Sequence, residues 1–211
     1  NATQSWLGVE ASDLSFGLNF APVSLAVTNG ELKLNQATGA DRVDWSAISI
    51  DLDNDGTNEF NVDVAAATSL SVSGDAAISF DDLLTVDGSF TLVQQDADAG
   101  NVTGAPAEFA GAKALILNLS VAADSAAATA AGTLELIRVS NATQSWLGVE
   151  ASDLSFGLNF APVSLAVTNG ELKLNQATGA DRVAWSAISI DLDSDPATAA
   201  FNVDVNADVD L

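Results

Sequence analysis

Residues 1–53 return at 141–193 with one change, Asp44 to Ala184. No other feature constrains the fold as much. Whatever local structure the first copy prefers, the second must prefer too. The chain therefore holds roughly one and a half units of a long tandem repeat: a complete unit over 1–140 and the first half of the next over 141–211. Arrays, fibres and stalks are built this way, because identical modules add length and valency without new chemistry. The chain opens in mid-repeat at Asn1. That predicts a segment of a longer array, with export signals outside it.

Within each unit, apolar residues alternate with polar ones. Leu14-Phe16-Leu18-Phe20, Ile48-Ile50-Leu52, Phe60-Val62-Val64, Leu70-Val72 and Leu115-Leu117-Leu119 are examples. Period-2 alternation marks strands with one buried face. The Ala-rich stretch 121–128 is the best helix candidate, and it is short enough to read as strand or turn. Small or turn-forming residues punctuate the strands at Asp13, Gly30, Ser46, Gly74, Gly88, Gly111, Gly132 and Asp153. About eight such units of about 17 to 18 residues fill one repeat, close to the coil length of a solenoid. The expected fold is all-β, a solenoid-like stack of short strands. The alternative is an antiparallel β-sandwich or hairpin stack, for which Asn29-Gly30 and Asp87-Gly88 would supply two-residue turns. The stretch 94–111 reads as the longest loop and the internal seam.

Units such as Leu70-Ser71-Val72-Ser73-Gly74-Asp75-Ala76-Ala77-Ile78-Ser79-Phe80 and Leu25-Ala26-Val27-Thr28-Asn29-Gly30-Glu31-Leu32-Lys33-Leu34 resemble the coils of very large, repetitive bacterial surface and adhesin-type proteins. The shared motif is loose, little more than L-x-V-x-x-G-x-x-L. The resemblance implies an extracellular or cell-surface β-rich rod without catalytic residues. Its partners would be neighbouring repeats or identical subunits docked end to end, and a surface glycan or protein. The G-G-x-G-x-D consensus of calcium-binding nonapeptide repeats is absent.

Composition narrows the chemistry. The chain has no Cys, His, Met or Tyr. This excludes Ser–His–Asp and Cys–His catalysis, thiolate chemistry and the usual zinc sites. The abundant carboxylates mark no catalytic pair, so no enzyme activity is expected. A net charge of -23 argues against nucleic acid and anionic membrane surfaces. No apolar run is long enough to span a membrane as a helix. Such an excess of carboxylate keeps a repetitive β-protein soluble, and it invites cations, Ca²⁺ first.

The sharpest local motif is Asp51-Leu52-Asp53-Asn54-Asp55-Gly56-Thr57-Asn58-Glu59, which is similar to the D-x-D-x-D-G opening of Ca²⁺ loops. Ile48, Ile50 and Leu52 are expected to face the core, so that Asp51 and Asp53 emerge together. Gly56 would allow the turn. Asp51, Asp53, Asp55, Thr57 through its carbonyl, and Glu59 are the predicted metal ligands. A polar turn without an ion is the other reading. In the second copy Pro196 stands where Gly56 stood and no Glu precedes Phe201. Proline cannot take positive φ, so that loop is expected to bind Ca²⁺ weakly or not at all. The 94–101 stretch, with Asp96 and Asp98, is a poorer cation candidate. Trp6, Trp45, Trp146 and Trp185 read as packing residues, with sugar stacking as the alternative.

Overall fold

The computed structural model describes residues 3–21, 23–80, 84–98, 100–124, 128–160, 163–192 and 200–209. In chain order the strands are β1 (Ser5–Phe20), β2 (Val23–Thr38), β3 (Ser49–Ile50), β4 (Phe60–Asn61), β5 (Thr68–Phe80), β6 (Leu84–Asp96), β7 (Val102–Thr103), β8 (Lys113–Asp124), β9 (Ala128–Ser140), β10 (Ser145–Phe160), β11 (Val163–Thr178) and β12 (Ser189–Ile190). Eight of them form one sheet in the order β1-β2-β5-β6-β8-β9-β10-β11. Every neighbouring pair is antiparallel. Among the described residues the only helical pieces are three short 3₁₀ turns, at Trp45–Ala47, Ala107–Phe109 and Trp185–Ala187. The Ala-rich stretch ends β8 and opens β9; residues 125–127 lie outside the described residues.

The fold is all-β, but it is not a stack of short coils. Each long strand pairs with the strands before and after it, as a meander does. Alternation decides which side chains share a face; it does not decide whether the next strand runs parallel or antiparallel. Nor, among the described residues, is there a second large sheet to make a sandwich. The eight strands of the main sheet run 12 to 16 residues, because the small residues that looked like corners lie inside them. Asp13 and Asn29 take positive φ, 54° and 51°, within β1 and β2. The β1–β2 register slips on both sides of Leu14. These are β-bulges, which accept the same left-handed residues as tight turns and add local twist. Gly88 stays in strand because β8 comes so close: a Cβ there would stand 2.4 Å from the Ser120 carbonyl oxygen. The hairpin that joins β1 to β2 instead follows Phe20↔Val23, where no Asn-Gly signal exists.

The register defines two chemically different faces. One row, Ala11, Leu32, Val72, Leu92, Leu117, Leu136, Val149 and Leu174, crosses all eight strands side by side. This apolar face continues past the bulges, where Leu14 and Phe16 stand exposed. The adjacent row, on the other face, begins Glu10, Lys33, Ser71 and ends Gly148, Asn175. Three segments lie against that second face: residues 39–67, the described part of 97–112, and residues 179–192 with 200–209. Trp45 rests over Gly8, and Trp185 over Gly148, where an added Cβ would sit 2.6 to 2.7 Å from the indole. The core lies under the last two segments. Val93, Ile116, Ile137, Val139 and Trp146 of the sheet meet Phe109, Trp185, Ile188, Ile190, Phe201 and Val203.

The stretch expected to be a loop-like seam is part of that core. Phe109 is buried, with its ring centroid 5.0 Å from Trp146 and 5.9 Å from Trp185. Its apolar content, Val102, Ala105 and Phe109, explains why the stretch packs down instead of remaining solvated.

Candidate metal centre

The 51–59 loop joins β3 to β4, whose ladder consists of Ser49↔Asn61 and Ile50↔Phe60. Glu59 N–H closes its base on the Ile50 carbonyl at 3.2 Å. The acidic side chains then organise the turn. Asp51 accepts N–H bonds from Asn54 at 2.5 Å, Asp55 at 3.2 Å and Gly56 at 2.8 Å. Asp53 accepts from Asp55 N–H at 3.2 Å, and Asp55 from Thr57 N–H at 2.8 Å. Glu59 reaches back to Leu52 N–H at 2.8 Å. Asn54 and Gly56 take φ of 60° and 94°, which winds the chain back on itself; for a side chain larger than that of Asn or Asp this is strained backbone.

The outcome is a cluster. Asp51, Asp53, Asp55 and Glu59 each present a carboxylate oxygen within 4.8 Å of the others. Thr57 is tied to the cluster through its N–H. Among the described residues, no Lys or Arg forms an ion pair with the four. Two unit charges at such a separation repel by about 1 kcal/mol even at the dielectric constant of water. A hard divalent cation with oxygen ligands would relieve that repulsion. This exposed acidic cluster is thus able to hold a metal ion.

The supporting strand differs from expectation. Ile48, Ile50 and Leu52 are exposed in the first copy, so the loop stands on an open hairpin and not on the core. In the second copy Ile188 and Ile190 are buried, because β12 pairs with β7 through Ser189↔Thr103 and Ile190↔Val102. Residues 193–199, including the Pro196 position, lie outside the described residues. Asp191 is held from the side: its N–H reaches the Asn101 carbonyl at 3.0 Å, and Asn101 Nδ2 its carbonyl at 2.6 Å.

Among the described residues, the 94–101 stretch does not assemble a cluster of metal ligands. Asp96 receives Arg42 and Lys113. Partial burial raises its pKa, but the Lys113 hydrogen bond and the Arg42 charge outweigh it and hold the carboxyl below its ordinary value. Asp98 accepts Gly111 N–H at 3.1 Å. A cleft of about 860 Å³ opens beside Arg42, Asp96 and Lys113, lined by neither Trp nor any residue of the 51–59 loop. Trp146 and Trp185 are buried, which makes them packing residues.

Sequence reasoning missed a polar clasp under each lid. Asn35 is buried; its Nδ2 donates to the Val43 and Ala65 carbonyls at 2.8 and 3.0 Å, and Trp45 Nε1 donates to its Oδ1 at 3.2 Å. Asn175 repeats the two Nδ2 bonds, to the Val183 and Asn206 carbonyls, but its Oδ1 and Trp185 Nε1 do not meet in a hydrogen bond. The signal was an Asn directly after the apolar alternation Leu32-Leu34, opposite Gly8 in the partner strand. No protein-family model, curated protein or solved structure matches the chain.

Proposed function

We propose that this chain is a structural, adhesive repeat module of an extracellular rod, filament or stalk, stabilised by Ca²⁺ in the 51–59 loop. One observation carries the reading. The duplicated strands β10 and β11 continue the sheet that β1 and β2 begin, with the same internal register and the same bulges. A repeat that extends one sheet makes an elongating object, not a set of separate beads. The acidic, Cys-free composition and the resemblance to bacterial surface repeats support a location outside the cell. Ca²⁺ is favoured among divalent cations because four carboxylates on an exposed turn match its larger, adaptable oxygen shell better than the tight octahedron of Mg²⁺. A second reading, a Ca²⁺-dependent carbohydrate- or protein-binding module repeated for avidity, draws less support, since among the described residues the cleft beside Arg42, Asp96 and Lys113 is lined by neither Trp nor the 51–59 loop.

Electron microscopy of longer tandem arrays of this sequence, with Ca²⁺ and with chelator, tests the proposal. Continuous rods that loosen or shorten on chelation are expected. Independent globules on flexible tethers under both conditions would overturn it.

A further inference from the structure

The repeat supplies an internal comparison: the same residues with and without a neighbour. β10 lies between β11 and β9. Its copy, β1, lies beside β2 alone and leaves its other edge open. The second-copy cover segment, residues 179–192 with 200–209, also packs on Val102 and Phe109; among the described residues β3 of the first copy pairs with β4 alone. Burial follows. Trp146 is 1% exposed and its equivalent Trp6 43%; Ile190 is 2% and Ile50 43%; Phe201 is 6% and Phe60 47%. The residues from Ser5 to Phe20 and from Trp45 to Asp53 are identical to their second-copy equivalents, so their own sequence does not set the difference; the neighbour does.

We infer that the open edge of β1, together with Trp6, Ile50 and Phe60, is a docking surface for another repeat's copy of residues 97–140. The occupant is specified by the interface already inside the molecule. Its β9 strand would pair antiparallel with β1 in the register now seen as Ser145↔Ser140, Trp146↔Val139, Leu147↔Arg138 and Leu158↔Ala128. Its Phe109 would cover Trp6 as Phe109 covers Trp146. Its Val102 would meet Ile50 as Val102 meets Ile190. The β9 strand of an identical, intact chain is already paired with β10, so the occupant is a block whose β9 is free to take this β1 as its next strand. The far edge obeys the same logic: Val27, beside β5, is 6% exposed, whereas Val167 on the open edge of β11 is 50%. That edge fits a copy of β5. The two edges therefore accept different strands, which gives the array a direction.

The inference rests on the array reading and adds partner, register and polarity. The test adds to the intact chain a synthetic peptide of residues 128–140, with a peptide of residues 68–80 as comparison. The 128–140 peptide is expected to give a saturable blue shift of tryptophan emission that is lost in Trp6→Phe. The 68–80 peptide is expected to leave Trp6 unchanged, because its place is β11. The chain has no native Cys, so register is read by disulfide trapping. Exposed Leu7→Cys should capture the peptide carrying Arg138→Cys in preference to one carrying Leu136→Cys. Absence of binding, equal trapping of both peptides, or an unchanged signal in Trp6→Phe would overturn the inference. So would concentration-dependent burial of Trp6 without peptide, which would place another intact chain on that edge. Rods without peptide binding would leave the array reading standing and remove this interface; binding without rods would do the reverse.

Discussion

A single residue separates the two copies, and the structure explains why it is tolerated. Asp44 Oδ1 caps the first 3₁₀ turn, accepting Ser46 N–H at 3.2 Å. Ala184 has no such side chain, and there Ser186 N–H reaches the Val205 carbonyl at 3.2 Å while Ser186 Oγ bonds Asn206 Oδ1 at 2.8 Å. The lid's own tail replaces the lost cap. Across β9 and β10, Glu135 stands directly opposite Glu150. Desolvation and the Glu150 charge raise the pKa of Glu135. Glu150 has its own compensation, Asp204 N–H at 2.6 Å. An acid whose folded pKa lies above its unfolded value opposes folding once it is ionised, and that opposition fades as pH falls through the folded pKa. Glu135→Gln should therefore stabilise the chain at neutral pH by about 0.2–1 kcal/mol, the range for like charges facing each other across strands. The gain should shrink toward pH of about 4, where the unfolded glutamate also protonates. Urea midpoints of both proteins across that range check it; a pH-independent difference would refute the account.

At the scale of elements, the 51–59 loop was legible because Asp, Asn and Gly at fixed spacing dictate the turn by themselves. Five N–H bonds onto the Asp51, Asp53 and Asp55 carboxylates come from within the loop. Asp53 makes one of these and Asp51 three, so Asp53→Ala removes a ligand with little damage to the turn. Calorimetric titration with Ca²⁺ should give one binding event in the native chain, and a heat lowered about tenfold or more in affinity in Asp53→Ala, the size expected when a charged ligand worth about 1.4 kcal/mol or more is lost. Equal titrations would remove the site. The strand boundaries were less legible. Asn29-Gly30 favours positive φ whether the chain reverses there or bulges there, and the neighbouring strand selects between the two.

At the scale of the whole molecule, the segment 97–112 joins the two halves. Phe109 touches Trp146 of β10 and Trp185 of the second lid, so it fastens the duplicated block to the preceding one. Phe109→Ala should cost about 3–5 kcal/mol, the usual range for a buried phenylalanine. It should shift the urea midpoint and expose Trp146, read as a red shift of tryptophan emission at the new transition. A change within ±0.5 kcal/mol would mean that the segment is not part of the core. The remaining apolar face, the row from Ala11 to Leu174 and its continuation past the bulges, lies opposite the side on which the described residues of the three segments pack.

The sequence by itself determined that the chain is all-β, that its copies share one local conformation, and that Asp51, Asp53, Asp55 and Glu59 converge. Each follows from contacts among residues near in the chain: alternation, bulge-forming Asn and Asp, and carboxylates that bond the N–H groups just beyond them. Tertiary structure decided the antiparallel meander, the buried role of Phe109 and the burial of each copy. Trp6 and Trp146 sit in identical sequence, yet one is exposed and the other enclosed. Burial depends on which strand lies alongside, and an alternating pattern carries no record of its neighbour.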